Sequence, residues 1–224
     1  GDAANNLEYC DQDAQLFADM LVNQGIVSES NRTLLTNSDA NYSAVENEFR
    51  RIVSSADNDD VIIIFYSGHS DTRGDSNGDE PDGTDEGFAL ADGNGIFDDE
   101  LQNILSNFYG RVILVLDMCN AAGMDDLIDQ DNRVAFFSCR EDQLSGLPTE
   151  YGSGGYLSYQ FVRAFDKALL LDPTAGGLTL GMLDYFLNNL WYTETDAIPS
   201  FRDNQNIVIQ HNGIELEEVL FPVE

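Results

Sequence analysis

The sequence predicts an α/β fold, a three-layer sandwich in which a mostly parallel central sheet carries helices on both faces. Three observations predict it. Val61-Ile-Ile-Ile-Phe-Tyr66, Val112-Ile-Leu-Val-Leu116 and Val134-Ala-Phe-Phe-Ser-Cys139 are apolar runs of strand length, the mark of strands buried on both faces. Helical patterns lie before, between and after them, as parallel strands with crossover connections require. No linker, repeat or low-complexity segment divides the 224 residues, so one domain, 1–224, is expected.

Residues 1–9 show no periodicity. From Asp11 to Gly25 the apolar positions Ala14, Phe17, Ala18, Met20, Leu21 and Val22 form one helical face, and Gly25 is the expected terminator. Arg32 to Thr36 reads as a short strand. Ser43 to Ser54 reads as a helix with Val45, Phe49 and Ile52 on one stripe and Ser43 as its N-cap. Strand 61–66 then ends in Ser67-Gly-His-Ser70, and the acidic stretch Asp71 to Glu86 reads as a long loop. Beyond the apolar patch Phe88-Ala-Leu-Ala91, Asp98 to Leu105 reads as a helix whose acidic first turn suits the helix dipole. Gly152-Ser-Gly-Gly155 leads into a helix carrying Tyr156, Leu157, Tyr159, Phe161, Val162 and Phe165. Leu178 to Leu190 is the last helix and Asn206 to Gln210 the last strand, with His211 in a polar, solvated turn.

Composition narrows the function classes. With 41 acidic and 10 basic residues the net charge is −31, a field that repels nucleic acid and anionic membranes, so neither is expected as a partner. No apolar run reaches the roughly 18 residues of a membrane span. Three scattered cysteines and no signal-peptide pattern suit a reducing compartment, and a cytoplasmic location is expected.

The chemistry gathers at two strand ends. Open α/β sheets place ligand crevices beyond the carboxyl ends of their strands, which is where Asp117 and Cys119 fall. Alternation turns Asp117 and Cys119 one way, and it likewise pairs Ser67 with His69 on the other strand. Neighbouring strands ending in His69 and Cys119 would bring an imidazole to a thiol, the arrangement that makes a thiolate nucleophile, with the main-chain N–H groups of Ser70 and Cys119 as the oxyanion donors. Cys10 and Cys139, taken singly, read as small buried hydrophobes. Ser153 lacks both the Gly-x-Ser-x-Gly spacing and the preceding strand of a serine nucleophile.

Tyr66-Ser-Gly-His69 and Leu116-Asp-Met-Cys119 resemble the caspase-like cysteine peptidases, and more of the chain resembles their metacaspase branch, prokaryotic members included. Cys10-Asp-Gln-Asp-Ala14 is similar to that branch's Cys-x-Asn-Asp-Ala opening of the first helix. Asp79 to Glu86 resembles its acidic loop, Ile96 to Leu101 its following Asp-Asp segment, and Phe137 to Gln143 the start of its small-subunit-like half. The matches run in order from about residue 8 to 211. Three features depart from the pattern. No apolar first strand lies in Gly1 to Glu8, Ser70 replaces the usual Gly, and Asn120-Ala-Ala-Gly123 replaces His-Ser-Gly.

The resemblance implies a caspase-like fold and a cysteine endopeptidase acting through His69 and Cys119. An acidic group two residues from a nucleophile opposes thiolate formation. A cationic side chain of the substrate gives Asp117 a reason to be there, so cleavage after Arg or Lys is expected; the alternative is that Asp117 only caps a backbone turn. The resemblance adds Asp13 as a second carboxylate, with Cys10 and Ser67 on the pocket wall. It also implies regulatory calcium, held by Asp85, Asp98, Asp99 and Asp126, with Asp125 as the alternative to Asp126. Separately, Asp75, Asn77, Asp79 and Glu86 occupy positions 1, 3, 5 and 12 of a calcium-hand loop, although Glu80 stands where position 6 needs Gly. The rival class is a catalytically inactive calcium-binding or scaffolding module, which explains the acidity but not the two strand ends.

Overall fold

The computed structural model describes residues 6–171, 176–194 and 205–222. Five helices, α1 (Cys10–Asn23), α2 (Tyr42–Ser55), α3 (Asp98–Leu105), α4 (Tyr156–Leu171) and α5 (Leu180–Glu194), alternate with nine strands among these residues. The strands are β1 (Val61–Ser67), β2 (Ser70–Gly74), β3 (Thr84–Ala89), β4 (Gly95–Phe97), β5 (Arg111–Asp117), β6 (Arg133–Phe137), β7 (Gly177–Thr179), β8 (Val208–Asn212) and β9 (Val219–Pro222). The central sheet has the order β1-β5-β6-β8, with β1, β5 and β6 parallel and β8 antiparallel to β6.

Side-chain alternation along β5 builds the two cores. Ile113 and Val115 face one way, into a cluster with Phe17 and Leu21 of α1, Phe161 and Phe165 of α4, and Leu183 and Leu187 of α5. Val112, Leu114 and Leu116 face the other way, into a cluster with Leu101 and Leu105 of α3 and the 3-10 segment Ala121–Ile128, against which α2 packs. Both faces are therefore covered, which is why β5 reads as one unbroken apolar run. Asp117 continues the Ile113 and Val115 face and so meets α1 and α4.

Several details differ from the sequence expectations. Arg32 to Thr36 is extended but unpaired, lying between the 3-10 turns Glu29–Asn31 and Asn37–Asp39, and Arg32 is held by Asp19 and Glu29 instead of by a strand. The N-cap of α2 is Asn41, whose side chain accepts from the Ala44 N–H at 3.1 Å, two residues ahead of Ser43. The acidic stretch 71–86 is loop only over residues 75–83, since its ends lie in β2 and β3, which pair with each other as β3 does with β4. That places Asp75 to Glu86 inside a hairpin with a strand ahead of it, which is not a calcium-hand geometry. His211 belongs to β8, opposite Val134, though it is exposed as expected. The pair β7 and β9 had no sequence counterpart.

Residues 6–9 form no strand, and residues 1–5 lie outside the described residues. Among the described residues β1 is an edge strand, beside a cavity of about 1830 Å³ lined by Phe17, Leu21, Leu34, Phe49, Ile52 and Ile63.

Candidate active site

Ser67 stands opposite Asp117 in the β1–β5 register, and the Gly68 N–H extends the pairing by donating to the Asp117 carbonyl at 3.2 Å. His69 and Cys119 thus lie two residues beyond matched positions on adjacent parallel strands. His69 is exposed and Cys119 half-buried, so both reach the rim. The backbone of His69 is fastened from two sides. Its carbonyl accepts from the Tyr66 hydroxyl at 2.7 Å and from the Ala89 N–H at 3.1 Å, and the Tyr66 ring stacks on Phe88 at 4.2 Å.

Asn120 follows Cys119 in the left-handed region, at φ 55°, a conformation Asn tolerates better than most residues. Its N–H donates to the Gln143 carbonyl at 2.9 Å and its side chain to the Glu141 carbonyl at 2.6 Å, tying the turn to the loop after β6. Among the described residues the Cys119 N–H donates to no acceptor. Ser70 opens β2, opposite Phe88.

Beside this rim the structure brings together Cys10, Asp13, Ser67 and Asp117. Asp117 is 3% exposed; its Oδ2 accepts from the Ser158 N–H at 2.7 Å and the Ser158 hydroxyl at 2.8 Å, and its Oδ1 from the Ser145 hydroxyl at 2.9 Å. Asp13 is 6% exposed and accepts from the Ser153 hydroxyl and the Gly154 N–H, both at 2.8 Å, and more distantly from the Ser67 hydroxyl at 3.4 Å. Every hydrogen bond these carboxylates accept among the described residues comes from a hydroxyl or a main-chain N–H. Burial and the Asp117 charge push Asp13 up to about 6 against those hydrogen bonds, and burial raises Asp117 as well. Burial pushes Cys10 up to about 11, despite its bond to Ser67, so it is a neutral thiol. Gly155 is required: a Cβ there would fall inside the Asp117 carboxylate. The Ser153 hydroxyl is thus spent on the Asp13 carboxylate, and Cys139 is buried in the core beneath the turn. Sequence reasoning missed Ser145, Ser158 and Gly155, which lie 28 to 41 residues beyond Asp117 with no local pattern to flag them.

The acidic residues converge at the hairpin tip. Carboxylate oxygens of Asp79, Asp99 and Asp126 lie within 4.8 Å of one another, as do those of Glu80, Asp125 and Asp126, and of Glu80, Asp82 and Glu141. Of the residues expected to hold calcium, Asp99 and Asp126 meet here, joined by Asp79, and Asp125 meets Asp126 through Glu80. Asp85 and Asp98 have other partners. Asp85 accepts from Arg73 Nε at 2.7 Å, and Asp98 accepts from the Glu86 N–H at 3.2 Å and the Asp99 N–H at 2.8 Å. Burial and crowding by like charge push Asp126 up to about 6, Glu80 to about 7 and Glu86 to about 8. Burial, with lesser repulsion from Asp85 and Asp126, pushes Asp98 to about 7. A crowded set of hard oxygen donors whose charges oppose one another fits a hard cation.

The profile of the caspase domain family matches residues 1–173. The chain belongs to that family. Metacaspases are among its relatives. Metacaspase-1 of Schizosaccharomyces pombe is 27% identical over 135 residues, covering 55% of this chain and 32% of that protein. Metacaspase-3 of Arabidopsis thaliana is 26% identical over 202 residues, covering 73% of this chain and 56% of that one. The chain thus spans about a third to somewhat over half the length of these relatives. A crystal structure of a Geobacter sulfurreducens protein superposes with a TM-score of 0.68 at 20% identity, covering 97% of this caspase domain and 90% of that chain, which speaks for the fold. No helix among the described residues is long and apolar enough to cross a membrane.

Proposed function

We propose that the protein is a cysteine endopeptidase that cleaves after Arg or Lys and is regulated by calcium. The observation that carries the specificity is the pair Asp13 and Asp117. Two buried carboxylates with no basic partner among the described residues want a cation, and the substrate side chain brings one.

In this reading Cys119 Sγ attacks the scissile carbonyl carbon while its proton passes to His69. The oxyanion that forms is held by the N–H groups of Cys119 and Ser70. His69 then protonates the leaving amine, which departs and leaves a thioester on Cys119. Water deprotonated by His69 attacks the thioester, releasing the carboxylate product and restoring the thiol. Tyr66 holds the main chain of His69 in place throughout.

Asp79, Asp99 and Asp126 would hold the calcium ion, with Glu80 and Asp125 beside them. Bound there, the ion would neutralise the crowded carboxylates and fasten the hairpin tip to α3 and to the segment that follows Asn120. These residues come from three separate stretches of chain, so their closure orders the surroundings of Cys119.

The test is a panel of fluorogenic peptides differing only in the residue before the scissile bond, each assayed with calcium and with a chelator. Peptides ending in Arg or Lys should be cut in calcium. Cleavage after Asp, or full activity in chelator, would contradict the reading.

A further inference from the structure

Asp117 and Asp13 are gripped by hydroxyls drawn from three separate places. Ser145 lies in the loop after β6, Ser153 in the turn before α4, and Ser158 in the first turn of α4. The Ser158 N–H is one of the free N–H groups at the head of a 16-residue helix, and it points at Asp117 Oδ2. Ser145 is itself fixed, since the buried Gln205 donates to its hydroxyl at 3.2 Å and accepts from the Gly146 N–H at 2.8 Å.

We infer that Ser145, Ser153 and Ser158 are positioning residues of the pocket: their hydroxyls keep Asp13 and Asp117 as an oriented anionic pair, so that an incoming cationic side chain meets two charges and not two neutral acids. This rests on the Arg/Lys reading of the pocket and adds what makes such a pocket workable. Two carboxylates buried side by side repel each other and lose hydration, and both effects favour the protonated form. Hydrogen bonds donated to the charged form oppose that, and none of these donors carries a charge that would compete for the pocket. Asp117 acts on both Asp13 and Cys10 of α1, and Asp11 acts on Cys10; the hydroxyls on Asp117 come from Ser158, Ser145 and Ser138, while that of Ser67 serves Cys10 and Asp13.

The test compares Ser145→Ala, Ser153→Ala and Ser158→Ala, with Ser158→Thr as the conservative control and melting temperature as the check on folding. Each is assayed from pH 5 to 8.5 on one peptide ending in Arg and one ending in a neutral residue. Each lost donor should raise KM for the Arg peptide about tenfold and move the acid limb of kcat/KM upward by about one pH unit. Ser158→Thr should restore most of both. An acid limb that stays put in all three folded alanine variants, with equal losses on the two peptides, would overturn the inference. Asp117→Asn separates the two levels. If it abolishes the Arg preference while the serine variants leave the limb unmoved, this inference alone fails; if the preference survives Asp117→Asn, the pocket reading fails and takes this one with it.

Discussion

Ser67 and Asp117 face each other across the parallel register of β1 and β5, and that one pairing sets both halves of the site. Two residues further along each strand stand His69 and Cys119. On the face shared with Ile113 and Val115, the same pair meets Asp13 of α1 and the head of α4. The proposed nucleophile pair and the proposed pocket are therefore positioned by one register, and a slip of one residue would scatter them.

The pocket charges should set the choice of substrate. Asp13→Asn is expected to lower kcat/KM for Arg and Lys peptides by about 10- to 100-fold, the size of one charge-assisted interaction, with a smaller effect on a neutral peptide. Equal losses on charged and neutral peptides would remove the carboxylate pair from substrate recognition.

Gly155 should tolerate no side chain. A Cβ there coincides with the Asp117 carboxylate, so Gly155→Ala is expected to displace Asp117 and to cost about 1 to 3 kcal/mol of stability by overpacking, measured by denaturant unfolding. Loss of cleavage after Arg should accompany it. A variant as stable and active as the parent would show that Asp117 does not sit against the head of α4.

Tyr66 should matter through His69 and not by touching substrate. Tyr66→Phe keeps the Phe88 stacking but removes the hydroxyl that donates to the His69 and Ala89 carbonyls. Loss of one neutral hydrogen bond, about 1 kcal/mol, predicts a several-fold lower kcat with KM little changed. A change in KM alone would point to the pocket instead.

Much of this arrangement is legible in the sequence, and the parts that are not share a cause. Strands β1, β5 and β6 announce themselves because burial on both faces demands unbroken apolar runs, and α3 runs from Asp98 to Leu105 as its pattern predicts. The hairpin of β2 and β3 is hidden because most of its residues are Asp, Glu, Thr and Gly. Asp85 and Glu86 are buried there by Arg73 and by the backbone at Gly123, which no local periodicity records. Asn41 and Ser43 are both good capping residues two positions apart, and only the backbone path decides between them. The serines around Asp117 are visible only after the chain has folded.

Acidity should govern stability in the opposite sense to the usual carboxylate. Glu86 is held up to about 8, Glu80 and Asp98 to about 7, and Asp126 and Asp13 to about 6, all above their ordinary values of 3.8 to 4.5. Between those values the folded protein keeps protons that the unfolded chain has lost, so stability falls as pH rises. Without calcium the melting temperature should drop from pH 5 to pH 8. Calcium should raise it more at pH 8 than at pH 5, because the ion then meets ionised carboxylates. A melting temperature flat in pH, or a calcium effect equal at both ends, would contradict the account of the acidic cluster.

The central claim is that Cys119 is a nucleophile served by His69 and by a pocket for a cation. The most direct measurement is irreversible labelling by a peptide ending in an arginyl electrophile, followed by peptide mapping of the three cysteines. The account predicts modification at Cys119 alone, slowed by about 100-fold or more in His69→Ala and strongly in Asp117→Asn, and absent in Cys119→Ala. Labelling of Cys10 or Cys139 at a rate comparable to Cys119, or labelling of Cys119 undiminished without His69, would contradict it.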